Sequence, residues 1–332
     1  MTTHSATYSR HAGPTHLAYP ARLSSHGRSD AARGPNAVRC GKLAGAMAAS
    51  MKYWIFGLAF AVLQSVLPCA ALAAVPVWQT LPLEQPLPPL AEGRVEHDGS
   101  SLWYGVVGSG KPVILLHGGR ATSASWGNQV PALLASHRQV IMIDSRGHGR
   151  STLGDRPLSY ELMAADVLAV MDHLKLRRAD IVGWSDGGIV GLIIAMRHPA
   201  RLDRIYAFGA NMTTKAISEP LSSPVLPLIG PRLEAAYKAV AEPADFDKLT
   251  AAVRAMQKNE PNYSDAQLAA IRGPRVAIVG AEHDEVLRPA YFAQLAETIP
   301  GARLIMLRNV SHFAPWQDAA AFNASLTGFL GH

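Results

Sequence analysis

From Ala179 to Leu192 the chain reads Ala-Asp-Ile-Val-Gly-Trp-Ser-Asp-Gly-Gly-Ile-Val-Gly-Leu, and few backbones can hold that order of residues. Ala179 to Trp184 suits a short buried strand and Ile189 onward suits a helix. Only a very tight turn fits between them. A Cβ at position 183 or 187 would crowd such a turn, and Gly188 lets the helix start close to the strand. Ser185 then stands at a strained strand-to-helix corner with its hydroxyl clear of the backbone. The helix start adds unpaired N–H groups and a partial positive charge at the same point. Glycine and serine are common, so G-x-S-x-G by itself describes a plain connecting turn equally well. The flanking strand and helix, and the residues further downstream, favour chemistry.

The surrounding chain alternates in the same way. Apolar runs at Leu102–Val107, Pro112–Leu116, Gln139–Ile143, Arg204–Phe208, Arg275–Val279 and Arg303–Leu307 read as strands. Helical spacing covers Trp126–Ala135, Tyr160–Leu174, the stretch after the serine to about Arg197, 290–298 and Asp318–Leu330. Unbroken apolar strands separated by amphipathic helices imply a mostly parallel sheet with helices on both faces. Residues 212–272 interrupt the rhythm: they hold no convincing strand, a Pro-rich apolar piece, and helical patterns near 232–240 and 246–258. An insertion of that size is large for a loop. It reads as a small helical cap over the C-terminal edge of the sheet, where open α/β sheets bind ligands. The expected organisation is a core over 95–211 and 273–332, with the cap at 212–272 between its halves.

Charge and cysteines narrow the function classes. Seven of the 31 Lys/Arg and one of the 25 Asp/Glu precede residue 74, so residues 74–332 carry 24 of each. That balance gives no electrostatic case for nucleic acid. Cys40 and Cys69 also precede residue 74, leaving the rest without a disulfide, a thiol nucleophile or a cysteine metal site. No metal or cofactor is expected, and the expected partner is a small-molecule substrate.

Residues 1–50 are rich in Ser, Ala, Gly, Arg and His with no apolar period, and are expected to be disordered or a mis-assigned extension. Their composition also fits an organellar transit peptide. Met51-Lys52, the apolar Tyr53–Leu67, Pro68 and Ala71-Leu72-Ala73 instead read as a signal peptide over 51–73, cleaved before Ala74. The expected location is secreted or periplasmic. The apolar run is shorter than the ~20 residues a spanning helix needs, so no stable membrane span is expected in the mature chain. Residues 74–94, with Pro76, Pro82, Pro86, Pro88 and Pro89, read as an extended lead-in without helix.

Five pieces together carry a resemblance: His117-Gly118-Gly119, Asp144 to Ser151, the turn at 183–188, Gly280-Ala281-Glu282-His283-Asp284, and Ser311-His312-Phe313. From about 95 to 332 the chain resembles the α/β-hydrolase superfamily, and in its motifs is similar to the small esterase-like members around valacyclovir hydrolase. The resemblance implies an α/β-hydrolase fold with a cap and an acyl-transferring serine, Ser185. A serine needs a base within hydrogen-bond reach. The order Ser…Asp…His puts that base late in the chain, at His312. Among the acids after the strand 275–279, the resemblance selects Asp284 over Glu282 and Glu285. Some relatives seat the acid one strand earlier, but Gly209-Ala210-Asn211 offers no carboxylate there.

The oxyanion hole is expected from the backbone N–H groups of Gly119 and Asp186. Asp144 to Ser151, and His117 and His148, are expected to serve the architecture. Trp126, Trp184 and Trp316 are candidates to line an acyl pocket, although single aromatics are as often core. The Asp186 carboxylate is a candidate to attract an amine-bearing substrate. The leading expectation is hydrolysis of a carboxylic ester, lactone or activated amide. A carbon–carbon hydrolase on the same three side chains, and a non-catalytic binding protein on the same fold, are the alternatives.

Overall fold

The structure is a computed structural model that describes residues 74–217, 223–272 and 275–331. The extension at 1–50 and the leader at 51–73 lie outside the described residues. Eight strands form one sheet: β1 (Ala91–His97), β2 (Ser100–Val107), β3 (Lys111–Leu116), β4 (Arg138–Ile143), β5 (Ala179–Trp184), β6 (Leu202–Phe208), β7 (Arg275–Ala281) and β8 (Arg303–Leu307). Their order across the sheet is β1-β2-β4-β3-β5-β6-β7-β8. The β1–β2 hairpin is antiparallel and joins β4 in antiparallel register, while β3 to β8 are parallel. All six residues of β5 are buried, as a central parallel strand requires.

Three helices accompany the first half: α1 (Val130–Ala135), α2 (Tyr160–His173) and α3 (Asp186–Arg197). The cap inserted between β6 and β7 carries α4 (Leu226–Lys238), α5 (Phe246–Asn259) and α6 (Asp265–Ala269). Then come α7 (Pro289–Thr298), α8 (Ala314–Gln317) and α9 (Ala319–Leu330). Helices cover both faces, as one pair of neighbouring residues proves. Ile205 points at Gly191 of α3, while Tyr206 packs on Phe322 and Phe329 of α9. Successive strand residues face opposite sides, so α3 and α9 lie on opposite faces. Among the described residues no helix is long and apolar enough to cross a membrane.

The cap behaves as its sequence suggests. Within 212–272 the described residues pair with strand geometry only as isolated bridges, Thr213 with Asn262 and Ile217 with Leu287. The helix expected near 232–240 starts earlier, at Leu226, because Pro227 sits in the first turn, where its missing N–H costs nothing. Ile229, Leu233 and Tyr237 repeat at helical spacing and are buried. Asp245 caps α5 by accepting the Lys248 N–H at 2.9 Å.

Two expectations are corrected. The lead-in at 74–94 is neither helix-free nor separate from the core. Pro76 starts a 3-10 turn at Val77–Gln79, and Gln317 of α8 donates to the carbonyls of Trp78 and Thr80 at 3.0 Å. The sheet begins at Ala91 rather than near 95, with an edge strand whose exposed polar residues hide the strand pattern. The single helix expected over Trp126–Ala135 is instead a 3-10 turn, Ser123–Trp126, followed by α1. Gly127 lies between them, where the Gln85 carbonyl of the lead-in occupies the space a Cβ would need.

Buried contacts hold the two ends of β5. At its start, the fully buried Asp180 pairs with Arg138, with Lys111 at 3.3 Å and with Arg204 at 3.5 Å. Below its far end lies an aromatic cluster in which Phe322 meets Tyr206, Phe208 and Trp126 with ring centroids 5.6, 5.3 and 6.5 Å apart. Deleting a fully buried phenylalanine forfeits its transfer free energy and leaves a cavity. Phe322→Ala is expected to lower unfolding stability by about 3–5 kcal/mol in a denaturant titration; a loss below about 1 kcal/mol contradicts this packing.

Candidate active site

The turn after β5 is built from backbone pressed on backbone. A Cβ on Gly183 would strike the carbonyl of Gly187, and one on Gly187 would strike the carbonyl of Leu116 on the neighbouring strand. Between them Ser185 adopts φ 53° and ψ −118°. That is a strained conformation for a residue with a side chain. Three hydrogen bonds hold it there. The Ser185 N–H donates to Phe208 O at 2.8 Å, and the Ser185 carbonyl accepts from Gly188 N at 2.8 Å and Ile189 N at 3.0 Å.

His312 comes from the loop between β8 and α8 and is 4 % exposed. Its Nδ1 donates toward the Asp284 carboxylate, 3.0 Å from Oδ2 and 3.2 Å from Oδ1. The ring lies against Gly209 at the end of β6, where φ is +60° and a Cβ would come within 2.8 Å of the imidazole Cε1. The Trp184 indole N–H donates to the His312 carbonyl at 2.9 Å. Asp284 is fully buried after β7, and its Oδ1 also accepts from the N–H groups of Val286 at 3.0 Å and Leu287 at 2.8 Å. Two backbone donors and an imidazole therefore fix this carboxylate.

The other two acids of that turn are employed as well. Glu285, missed as a site residue, is buried and accepts the His312 backbone N–H at 3.0 Å, so it holds the loop that carries the imidazole. Glu282 accepts the Asn309 N–H at 2.9 Å. Adjacency to Asp284 was the only sign of Glu285 in the sequence.

Burial alone pushes the His312 pKa down. The charge and hydrogen bond of Asp284, helped by the charges of Glu285 and Asp186, more than offset this and hold it above the ordinary imidazole value. His117 and His148 stand in contrast. Burial lowers the pKa of both, His148 to about 3, and each donates from Nδ1 to a nearby carbonyl. His117 Nε2 accepts the Ser145 N–H at 3.0 Å, which ties the loop after β3 to the loop after β4. Asp144 accepts from Ser123 N at 2.8 Å and Arg150 N at 3.0 Å, and Arg146 bridges Asp166 to the carbonyls of His97 and Asp98. These are architectural contacts.

Ser185 and His312 line one cavity of about 170 Å³ beneath the cap, although no hydrogen bond joins the hydroxyl to the imidazole among the described residues. Leu226, Ile229 and Leu233 of α4, with Val286 and Phe313, make its apolar wall. Gly119, Arg120 and Gln257 line it as well. Larger surface hollows of about 580 and 550 Å³ contain none of these groups. The amides of Gly119 and Asp186 donate to no protein acceptor among the described residues. A Cβ at position 119 would approach Asp186 Oδ2 to 2.6 Å and press on that carboxylate.

Three expectations about side chains change. Trp184 lines the cavity, but Trp126 and Trp316 do not. Trp126 is fully buried between Trp184 and Phe322; Trp316 stacks on Phe313 and donates from its indole to Ser125 O at 3.0 Å. The Asp186 carboxylate is not offered to an amine-bearing substrate. It is buried and accepts from the Tyr160 hydroxyl at 2.8 Å and the Gln257 amide at 3.0 and 3.1 Å. Burial raises its pKa. Tyr160 and Gln257 approach it from distant parts of the chain, and nothing local in the sequence announced them.

The arrangement brings a serine at a strained turn, a carboxylate-held imidazole and the Gly119 backbone to one small cavity, with the unpaired Asp186 amide directly after the serine, which suits attack on an acyl carbon. Comparison with known proteins agrees at the level of family. The family described as alpha/beta hydrolase fold matches residues 111–228. Rhodomycin D methylesterase of Streptomyces peucetius is 27% identical over 275 residues, 67% of this chain and 92% of that protein. A protein named "Putative carbamate hydrolase" from Variovorax paradoxus is 31% identical over 249 residues, again 67% of this chain and 92% of its own length. The crystal structure of the enol-lactonase from Burkholderia xenovorans LB400 superposes with a TM-score of 0.61 at 25% identity, covering 72% of this chain and 99% of that one. The fold, the turn that carries Ser185 and these relatives together make the chain an esterase-like member of the α/β-hydrolase superfamily.

Proposed function

We propose that this hydrolase cleaves a carboxylic ester or a closely related acyl bond through an acyl-enzyme on Ser185. The observation that carries the reading is the shared cavity of Ser185 and His312, with the far imidazole nitrogen held by the buried Asp284. Ser185 Oγ attacks the acyl carbon while His312 Nε2 takes the hydroxyl proton. The amides of Gly119 and Asp186 stabilise the oxyanion that forms. The bond to the alcohol then breaks, and His312 returns its proton to the leaving oxygen. Water repeats the sequence on the acyl-enzyme: His312 takes its proton, the acid departs, and the proton goes back to Ser185. Asp284 keeps the imidazole in the tautomer with Nδ1 protonated and stabilises its charged form. Such hydrogen bonds are often long without substrate and tighten when it binds, which accommodates the open Ser185–His312 contact. The named activities of these three similar proteins, on a methyl ester, a carbamate and an enol-lactone, concern an acyl carbon and support this class of bond, while other similar proteins are named as meta-cleavage product hydrolases.

Two measurements test the reading. Ser185→Ala is expected to lower kcat on a simple ester by about 10⁴-fold or more; turnover within tenfold of the parent contradicts the assignment. The base must be neutral to act, and Asp284 holds its pKa up. Thus kcat/KM is expected to rise with pH through an apparent pKa above about 6.5, the ordinary histidine value. Asp284→Asn leaves burial unopposed by that charge and is expected to move this limb to lower pH while reducing kcat. A limb that stays in place counts against Asp284 as the partner.

A further inference from the structure

One cation in the cavity has no part in the chemistry above. Arg120 follows Gly119 in the turn Gly118–Ala121, closed by the Ala121 N–H donating to Gly118 O at 3.1 Å. It is the third residue of that turn and has φ 61°. Glycine takes such a position at no steric cost, and a long charged side chain does not. The strained turn sets the half-buried Arg120 in the lining of the Ser185 cavity.

No protein carboxylate pairs with Arg120 among the described residues, although other arginines of this chain do find one. Asp186 is the nearby acid, and the Tyr160 hydroxyl and Gln257 amide already occupy its oxygens. Arg254 on α5 adds a second positive charge. Burial and then Arg254 disfavour the charged form of Arg120, and Asp186 opposes them only as the last and smallest influence. His148 also faces this region, and burial keeps it neutral. A guanidinium half-removed from water, beside a like charge and without a carboxylate paired to it, gains most from a ligand carboxylate, which it can grip with two parallel hydrogen bonds.

We propose that the substrate's acyl group carries a carboxylate, that Arg120 binds it, and that the esters cleaved are therefore half-esters of short dicarboxylic acids. The inference rests on the serine-hydrolase reading. The cavity, about 170 Å³, is small beside the roughly 300–1,000 Å³ usual for ligand pockets, so it suits one half of an ester. The half that stays covalently held is the acyl group, while the alcohol must leave. Leu226, Ile229 and Leu233 supply apolar lining for the intervening methylenes, and Arg120, in the lining of the same cavity, supplies the charge for the far carboxylate.

The test compares monomethyl glutarate with methyl pentanoate, its neutral analogue of equal length, by methanol release. The unmodified enzyme is expected to favour the charged ester at least about tenfold in kcat/KM, the order expected for one charge-assisted contact. Added salt is expected to shrink that ratio. Arg120→Gln should bring the ratio to about one or below, chiefly through KM for the charged ester, and Arg120→Lys should retain part of it. A parent enzyme that favours methyl pentanoate or treats the two alike overturns the inference while leaving the hydrolase reading intact. So does an Arg120→Gln variant that keeps the preference, or one that loses both esters equally. Turnover of neither ester by the parent, with no labelling of Ser185 by a fluorophosphonate, removes both readings together.

Discussion

Backbone meets backbone where β5 gives way to α3, and most of the molecule is arranged to permit that contact. Gly183 lies on the Gly187 carbonyl, and Gly187 on the Leu116 carbonyl of β3. With no side chains between them, the chain can reverse within one residue and hold Ser185 at positive φ. Such strain persists only where the surroundings over-determine it. Here β3 and β6 flank β5 in parallel register, and the Phe208 carbonyl receives the Ser185 N–H. Asp180, at the other end of the strand, is anchored by three cations.

Around this corner four buried carboxylates divide the work. Asp284 faces the imidazole, and Glu285 fixes the backbone of the residue that carries it. Asp186 is taken up by Tyr160 and Gln257, tying α3 to α2 and to α5 of the cap. Asp144 gathers loop amides and Arg150. Each acid has partners suited to its burial, which is the condition for keeping charge inside a protein. Arg120 departs from that pattern, and its lack of an acid draws attention to the ligand.

Much of the fold was legible in the sequence because a strand covered on both faces must be largely apolar, and β3 to β7 each hold an apolar run with their charged residues near the start. Only glycine fits the closest approaches of the turn. Ser185 and His312 were singled out by motif order and Asp284 by the family resemblance, each following a different strand, and the cap followed from the loss of alternation after residue 211. The edge strand β1 did not show, since only Val95 of its seven residues is buried. Nor did the facing of the tryptophans: composition reveals that an aromatic is buried, not whether a cavity or Phe322 lies beside it. Glu285, Tyr160, Gln257 and Arg120 were missed for a related reason. The partners of Glu285, Tyr160 and Gln257 lie 27, 26 and 71 residues away along the chain, and only the folded arrangement brings them, and the cavity beside Arg120, together.

The central claim is that the strained hydroxyl at position 185 is a nucleophile activated by its neighbours rather than an ordinary serine in a tight turn. Fluorophosphonate treatment followed by peptide mass mapping tests it most directly, because the reagent needs both an activated serine and an oxyanion site. The account predicts stoichiometric modification of the peptide containing Ser185, matched by loss of ester turnover. An unmodified Ser185 in protein that still hydrolyses esters, or modification of a different serine, contradicts it.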